Sequence, residues 1–195
     1  MSVTVRRYGA QAALVEVSDA SQAAALAAWA RADGVPAAEI VPAARTVLFD
    51  GVEPDWLVGR LASWKPEVAP PPGPVVEVPV VFDGPDLDFV AARCGGDPAG
   101  LLASVELTSA FCGFAPGFAY LIGLPDALRM PRLASPRARV EPGSVGLADA
   151  YCGVYPTASP GGWRIVGHTD AVLWDASRAQ PALLAPGTRV VLRPC

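Results

Sequence analysis

Four arginines and no acidic residue lie within residues 129–139, which read RMPRLASPRAR. The whole chain has a formal net charge of −4, so this segment is a local basic patch. Guanidinium groups on a proline-containing loop suit carboxylate or phosphate oxygens, because they donate two parallel hydrogen bonds to them. The segment therefore predicts a binding site for a small anion. The alternative is a solvated loop whose arginines pair with acidic residues elsewhere.

A second unusual segment, residues 111–125, reads FCGFAPGFAYLIGLP, an apolar run interrupted by two prolines and three glycines. Gly113 and Gly117 would let the backbone approach a neighbour or ligand closely, while Pro116 would fix the bend. This pattern favours an apolar wall along a cleft. The aromatic members of the wall would be Phe114, Phe118 and Tyr120. The alternative is a barrel corner that buries these rings in the core.

A third segment, SPGGW at residues 159–163, places two glycines before a large aromatic residue. Glycines permit turns in which backbone amides point into a cavity, and the indole of Trp163 would cover one side of it. The segment predicts either a cradle for an oxyanion or a tight hairpin with a core tryptophan. The single histidine, His168, is a further candidate, although a lone histidine is more often structural than catalytic.

Composition excludes several classes of protein. A mildly acidic chain lacks the clustered basic face that nucleic acids require, so no nucleic-acid partner is expected. No long apolar stretch predicts a membrane span, and the N-terminus lacks the apolar core of a signal peptide, so we expect a cytoplasmic protein without membrane contact. Four scattered cysteines and one histidine offer no metal-ligand spacing, so no metal site is expected.

The elements that must position these residues fall into two predicted domains. Residues 1–65 predict a small α/β domain with the order ββαββα. Its first helix is expected to begin near Ser18 or Asp19 and to end at Gly34, and its second to have Pro54 in the first turn. The tryptophans expected in the core or in a subunit contact are Trp29, Trp56 and Trp64.

A proline-rich segment, PEVAPPPGP at residues 66–74, predicts a stiff linker. Residues 75–195 are predicted to begin with a strand in VVEVPVVFDG, followed by one or two short helices separated at Gly95 and Gly96. Short apolar pieces then alternate with turns about every 8 to 12 residues, which is typical of an antiparallel barrel or sandwich. The predicted strands are SAFCGF, FAYLIG, SVGLA, WRIVGH, AVLWD and RVVLRP.

Three motifs in the second domain resemble the KipI-like family: GFAPGFAYL at 113–121, PRLASPRARVEPGSV at 131–145 and GVYPTASPGGWRIVGHT at 153–169. This family includes the B subunits of ATP-dependent 5-oxoprolinases, formerly called allophanate hydrolase subunit 1, and is similar to part of the carboxyltransferase domain of urea carboxylase. The resemblance extends over essentially the whole chain. It implies an α+β fold, in which a small α/β domain precedes a cyclophilin-like, mostly antiparallel β-barrel.

The resemblance also implies a function. Such a protein would act with a homologous C subunit to activate 5-oxoproline by phosphorylation, with ATP as co-substrate, and an A subunit would then open the ring to give glutamate. The sequence contains no GxxxxGK[ST] loop, so another subunit is expected to contribute to ATP chemistry and the isolated chain is expected to be inactive. The only lysine, Lys65, lies in WKP, which is not a biotin-attachment context, so no biotin is expected on this chain.

Two alternatives remain open. KipI-like proteins also include modules that inhibit a sensor histidine kinase, and carboxyltransferase-type subunits belong to urea and allophanate metabolism. Fold alone does not decide between the three interpretations.

Within the resemblance, Arg132 and Arg137 occupy the arginine positions of a PRxxSPR motif. We expect both guanidinium groups to face the cleft, partly exposed and not bonded to internal carboxylates, with Arg129 and Arg139 as surface residues. The candidate anion-binding residues are Arg132, Ser135, Arg137, Ser159, Gly161 and Gly162. The candidate cleft wall consists of Phe114, Pro116, Gly117, Phe118, Tyr120, Tyr155 and Trp163.

Overall fold

The computed structural model describes residues 3–65 and 73–195. The chain divides into two compact units, Met1–Pro72 and Gly73–Cys195. Residues 66–72 of the predicted linker lie outside the described residues. Within the described part, no helix combines the length and the apolar character needed to cross a membrane.

The first unit is a four-stranded antiparallel sheet with two helices, as the ββαββα pattern predicted. The strands lie in the order β1-β2-β4-β3, and every neighbouring pair is antiparallel. The elements are β1 (Thr4–Arg7), β2 (Ala12–Glu16), α1 (Ala20–Ala32), β3 (Glu39–Pro42), β4 (Thr46–Asp50) and α2 (Pro54–Leu61).

Local signals explain where these helices begin and end. The Asp19 side chain accepts a hydrogen bond of 2.9 Å from the backbone of Gln22, which satisfies one of the free amides of the first turn of α1. Gly34 follows the helix with φ +70°, a conformation that glycine adopts without a side-chain clash. Proline in the first turn of α2 is well tolerated, because its missing amide hydrogen would have no partner there.

Apolar side chains from the helices and one face of this sheet form the core of the first unit. Of the three tryptophans, Trp64 is buried in this core and Trp29 is partly buried against it, as expected. Trp56 is 44% exposed, so a core role is wrong for this residue and a subunit contact stays a prediction.

The second unit is built mainly from β-strands. Seven strands form one sheet in the order β12-β9-β10-β7-β6-β13-β5, in which β13 and β5 run parallel and the other pairs are antiparallel. Strands β11 and β8 form a separate antiparallel ribbon. The elements are β5 (Val75–Val80), α3 (Leu87–Cys94), α4 (Pro98–Ala103), β6 (Leu107–Cys112), β7 (Ala119–Ile122), β8 (Arg137–Val140), β9 (Ser144–Ala148), β10 (Tyr151–Val154), β11 (Ser159–Gly161), β12 (Arg164–His168) and β13 (Arg189–Pro194).

Most of the predicted strands of this unit are confirmed, and two helices are separated at Gly95 and Gly96 as expected. The prediction for AVLWD is wrong, because the segment forms a loop with a single bridge between Trp174 and Ala182. Leu173 of this segment is buried in the barrel core, whereas Val172 and Trp174 are about half exposed. Three short strands were not predicted: β8, β10 and β11.

The large sheet is nearly closed into a barrel by a seam between its two edge strands. Beyond the end of β5, Val81 and His168 exchange two backbone hydrogen bonds of 2.9 Å, and the amide of Gly84 donates to the Val166 carbonyl at 3.1 Å. A Cβ atom on Gly167 would lie 2.3 Å from the Val81 carbonyl oxygen, so only glycine permits this approach. The barrel interior includes Val78, Val80, Leu107, Leu121, Val145, Leu147, Val166, Val190 and Leu192.

A buried carboxylate lies directly beside this seam. The side chain of Asp86 is only 7% exposed, and it accepts hydrogen bonds from the Ile165 amide at 2.7 Å, from Arg137 Nη2 at 2.9 Å and from Arg164 Nη1 at 3.4 Å. Its own amide donates to the Ile165 carbonyl at 2.9 Å. Asp86 therefore connects the start of α3 to β8 and β12.

Replacing Gly167 should weaken the closed barrel. In a Gly167→Ala variant the new methyl group collides with backbone of the seam, so we expect the free energy of unfolding to fall by about 1 to 3 kcal/mol in chemical denaturation. Gly96→Ala is the matched control, because no atom lies within 4 Å of a Cβ at that position. Equal stability of the two variants would contradict the proposed packing constraint.

Removing the buried Asp86 carboxylate should lower the free energy of unfolding more than removing an exposed carboxylate does. Asp86→Ala leaves two arginines and one buried amide without their acceptor, and we expect a loss of about 3 kcal/mol in the free energy of unfolding. Asp83→Ala serves as control, since the Asp83 carboxylate is 57% exposed and its partner is a half-exposed histidine. A loss no larger than that of the control would show that the buried cluster is dispensable.

Candidate functional site

An aromatic cluster lines the outer side of the barrel around β7, β10 and β12. Phe118 lies at its centre, with ring centroids 5.2 Å from Tyr155, 5.4 Å from Trp163 and 5.1 Å from Tyr120. Phe114 adds an edge contact at 5.3 Å from Phe118. Edge-to-face pairs of this kind stabilise the arrangement beyond the area they bury.

Two glycines make room for the rings. A Cβ atom on Gly153 would lie 2.9 Å from Cζ3 of Trp163, and one on Gly161 would lie 2.5 Å from the hydroxyl oxygen of Tyr155. Distances below 3 Å leave no room for a methyl group in a close-packed cluster. The glycine of the SPGGW segment at position 161 is therefore required by the packing of an aromatic wall.

These rings form one wall of a cavity of about 260 Å³, which we call the aromatic pocket. Its volume suits a small metabolite better than a drug-sized ligand. The lining residues are Phe114, Phe118, Tyr120, Arg132, Pro136, Tyr155, Pro160, Gly161, Gly162 and Trp163. The turn at 113–118, the arginine-rich loop and the SPGGW segment thus converge on one cleft.

Of the four arginines at residues 129–139, two are surface residues as expected. Arg129 pairs with Asp126 at 3.1 Å and Arg139 pairs with Glu141 at 2.6 Å, both in exposed positions. Arg132 is exposed, lines the aromatic pocket and forms no ion pair with any carboxylate of the described residues. Its guanidinium group is therefore available to an anionic ligand.

The expectation that Arg137 is free of internal carboxylates is wrong. Its Nη2 donates to Asp86 at 2.9 Å, its Nη1 donates to the Trp163 carbonyl at 3.3 Å, and its side chain is only 29% exposed. The physical reason is that the fold brings Asp86, 51 residues upstream, and the Trp163 carbonyl, 26 residues downstream, within hydrogen-bonding distance of Arg137. Arg137 consequently supports the backbone of the pocket wall.

Burial further favours the protonated form of the pocket phenols. It raises the pKa of Tyr120, an effect that the nearby charge of Arg132 partly opposes. It likewise raises the pKa of Tyr155, against the lowering effects of a hydrogen bond involving the Trp163 backbone and of Arg132. Both hydroxyl groups are therefore neutral at physiological pH, and neutral phenols can donate hydrogen bonds to an anion.

The thiols near the barrel core do not offer a nucleophile. Burial raises the pKa of Cys152 to about 12, and burial also raises the pKa of Cys112 above its ordinary value. Both thiols stay protonated at neutral pH and act as small apolar residues. Among residues 3–65 and 73–195, no three histidine, cysteine, aspartate or glutamate side chains converge in a way that could hold a metal ion.

Several predicted site residues lie outside the aromatic pocket. Ser135 is exposed on the loop and does not line it, and Pro116 lines a second cavity of about 540 Å³ beside Trp174. A Cβ on Gly117 would lie 2.9 Å from Cβ of Trp174, so this glycine serves packing. His168 pairs with Asp83 at 2.9 Å in a half-exposed position on the barrel seam.

Ser159 has an unusual environment. Its hydroxyl oxygen is buried and has no hydrogen-bond partner within the described residues. It does not line the aromatic pocket, so an anion-binding role for it stays a prediction.

The structure adds residues that sequence reasoning missed. Pro136 and Pro160 line the pocket, and Asp86 and Arg164 form the buried cluster behind it. Asp86 follows Gly-Pro just before a helix, a pattern that suggests a helix start and nothing about arginine partners. Its main contacts lie 51 and 79 residues away, so no local signal could have revealed them.

Three curated relatives are named as the B subunit of 5-oxoprolinase. The chain is 45% identical over 141 residues to the Escherichia coli O157:H7 protein, 41% over 121 residues to that of Haemophilus influenzae and 38% over 119 residues to that of Bacillus subtilis. These matches cover 68%, 59% and 58% of this chain. They span only 65%, 57% and 50% of the relatives' own length.

Solved structures share the fold. TTHA0988 superposes with a TM-score of 0.77 at 30% identity, covering 95% of this chain and 40% of that protein. A conserved uncharacterized protein from Pyrococcus horikoshii gives a TM-score of 0.60 at 28% identity, covering 98% of this chain and 97% of the other. Urea carboxylase of Kluyveromyces lactis gives a TM-score of 0.72 at 22% identity, covering 99% of this chain and 22% of the enzyme.

The family match extends across both units and includes the three motifs that build the pocket. Residues 3–184 match the family described as carboxyltransferase domain, subdomain C and D. This protein therefore belongs to the carboxyltransferase-domain family of subdomains C and D, and its homologues include proteins named as B subunits of 5-oxoprolinase.

Proposed function

We propose that this chain is the B subunit of an ATP-dependent 5-oxoprolinase and that its aromatic pocket binds the 5-oxoproline substrate. The complete reaction converts 5-oxoproline, ATP and water to glutamate, ADP and phosphate. The names of the three relatives support the subunit assignment. Because the matches span only 65%, 57% and 50% of the relatives' own length, the activity of the complete enzyme is part of this proposal.

The observation that carries the substrate proposal is that Arg132 lies among aromatic rings and forms no ion pair within residues 3–65 and 73–195. 5-Oxoproline is a small ring with a carboxylate, so it has a flat, weakly polar surface and one permanent negative charge. Arg132 would bind the carboxylate through two parallel hydrogen bonds, and the aromatic faces would contact the ring. The cavity of about 260 Å³ accommodates a ligand of this size.

The residues of this chain would bind and orient the substrate and exclude water from one of its faces. In the proposed reaction the γ-phosphoryl group of ATP moves to the lactam oxygen and ADP leaves. Hydrolysis then uses two water molecules: the first adds to the activated carbon and the ring C–N bond breaks, giving γ-glutamyl phosphate, and the second hydrolyses this acyl phosphate to glutamate and phosphate. Holding the substrate in one orientation lowers the entropic cost of both steps.

Partner subunits would supply the parts that this chain lacks. The sequence has no Walker-type phosphate loop, so we assign ATP binding to an interface or to a homologous C subunit, and ring opening to an A subunit. Such a hetero-oligomer would be the active hydrolase. Inhibition of a sensor kinase and a role in urea metabolism have no specific observation in their favour, since the likeness to urea carboxylase at 22% identity concerns the fold.

The subunit proposal predicts an all-or-none dependence on partners. The purified chain should show no 5-oxoproline-dependent ATP hydrolysis, whereas a mixture with its C and A subunits should release phosphate and glutamate in equal amounts. Both products can be measured by coupled enzymatic assays. Turnover by the single chain would overturn the subunit assignment, and the absence of turnover in the full mixture would overturn the 5-oxoprolinase assignment.

Replacing Arg132 should reduce function without unfolding the protein. In the reconstituted complex, Arg132→Ala should lower kcat/KM for 5-oxoproline by about 10- to 100-fold, because a hydrogen-bonded contact to a charged ligand is worth roughly 1.5 to 3 kcal/mol. Arg132→Lys should restore activity only in part, since lysine keeps the charge and loses the two-pronged geometry. The melting temperature should stay near that of the parent, because the arginine is exposed and has no ion pair among the described residues.

Arg129→Ala provides the matched control. Arg129 lies in the same segment, is 55% exposed and pairs with Asp126 outside the aromatic pocket. Its replacement should leave kcat/KM unchanged. Equal activity of Arg132→Ala and Arg129→Ala would show that Arg132 does not bind the substrate carboxylate.

A further inference from the structure

Phe114 has a backbone conformation that is unfavourable for a bulky side chain. Its φ is +71°, in the left-handed region, where the described residues include one other non-glycine residue, Asp149 at +49°. The amide of Ala115 donates to the carbonyl of Gly113 at 2.9 Å, which closes a three-residue turn around Phe114. At positive φ this is the rare and strained form of the γ-turn.

The neighbouring hydrogen bonds hold this turn in place. The amide of Gly113 donates to the Phe118 carbonyl at 3.1 Å, and the amide of Phe118 donates to the Ala115 carbonyl at 3.0 Å. Glycine would adopt the same backbone angle without a side-chain clash, and glycine already occupies positions 113 and 117. A phenylalanine at position 114 thus imposes a cost that the turn itself does not require.

Burial of the Phe114 ring offsets little of this backbone strain. Phe114 is 63% exposed, whereas the other aromatic residue of the same turn, Phe118, is 2% exposed. Its ring makes edge contacts with Phe118 at 5.3 Å and with Tyr155 at 6.5 Å. Strained residues of this kind are held by the surrounding structure and cluster at active sites and ligand-binding sites.

The exposed ring lines the aromatic pocket together with Arg132. We propose that Phe114 is a ligand-contacting specificity residue, whose ring supplies an apolar face to a small planar anion held by Arg132. This inference rests on the proposed function, because it takes the aromatic pocket as the substrate site. It adds the residue that selects for a flat ring in addition to a carboxylate.

The chemical class of ligand follows from the two groups. Arg132 requires an anionic oxygen pair, and the phenylalanine face favours a flat, weakly polar ring over an extended polar chain. A ligand that covers the ring would supply the burial that Phe114 lacks in this chain. A compound with the anion alone would use Arg132 and leave the ring exposed.

Three variants separate ring loss from backbone relief. Phe114→Asn removes the ring and places there a residue that accepts left-handed backbone, and Phe114→Tyr keeps the ring. Asp149→Gly is the matched control, because it relieves the backbone strain of a residue at positive φ that does not line the aromatic pocket. Each variant is assembled with the partner subunits, and its 5-oxoproline affinity is measured by calorimetry without ATP. Melting temperatures are measured in parallel.

The expected result is a separation of binding from stability. Phe114→Asn should bind 5-oxoproline about tenfold more weakly and melt at or above the parent temperature. Asp149→Gly should bind within about twofold of the parent, and Phe114→Tyr should bind more tightly than Phe114→Asn because it keeps the ring. Such a result would support the proposal that the ring of Phe114 contacts the ligand.

Three other outcomes overturn the inference in distinguishable ways. Parent-like affinity of Phe114→Asn would remove Phe114 from the site and leave the proposed function intact. A melting temperature of Phe114→Asn clearly below that of the parent would assign the ring a structural role. Absence of 5-oxoproline binding by the parent complex would overturn the proposed substrate, and this inference with it.

Discussion

The buried carboxylate of Asp86 is the interaction on which the geometry of the second unit depends most directly. A charge that is 7% exposed must be paired and hydrogen-bonded, and here two arginines and one backbone amide satisfy it. Arg137 extends this network to the Trp163 carbonyl, which belongs to the wall of the aromatic pocket. The same pairing that secures the barrel seam therefore also holds the wall of the candidate site in place.

This pairing decides which arginine remains for a ligand. The basic segment contributes four guanidinium groups, of which three are bonded to carboxylates of the chain and one, on Arg132, is not paired within the described residues. A pocket with a single available cation selects ligands by the position of their negative charge as well as by its sign. The aromatic rings around it supply the apolar contacts, and glycines at 153 and 161 allow those rings to pack closely.

The same fold occurs in proteins of very different length. The chain covers nearly all of a Pyrococcus horikoshii protein and only 22% of a urea carboxylase, so this two-unit body exists both almost alone and as part of a large enzyme. Fold alone does not determine activity, and the assignment to 5-oxoprolinase depends on the closer relatives and on the contents of the pocket.

Local signals in the sequence were sufficient for much of the architecture. The Asp19 cap and Gly34 bounded the first helix, short apolar pieces between turns located most strands, and the basic and glycine-rich segments located the pocket. These features depend on neighbours a few residues apart. The role of Arg137 could not be predicted in this way, because its carboxylate partner lies 51 residues upstream and is brought near only by barrel closure. AVLWD likewise has a strand-like composition, but apolar residues in a loop can fill a core equally well, and only the positions of the other strands decide which occurs.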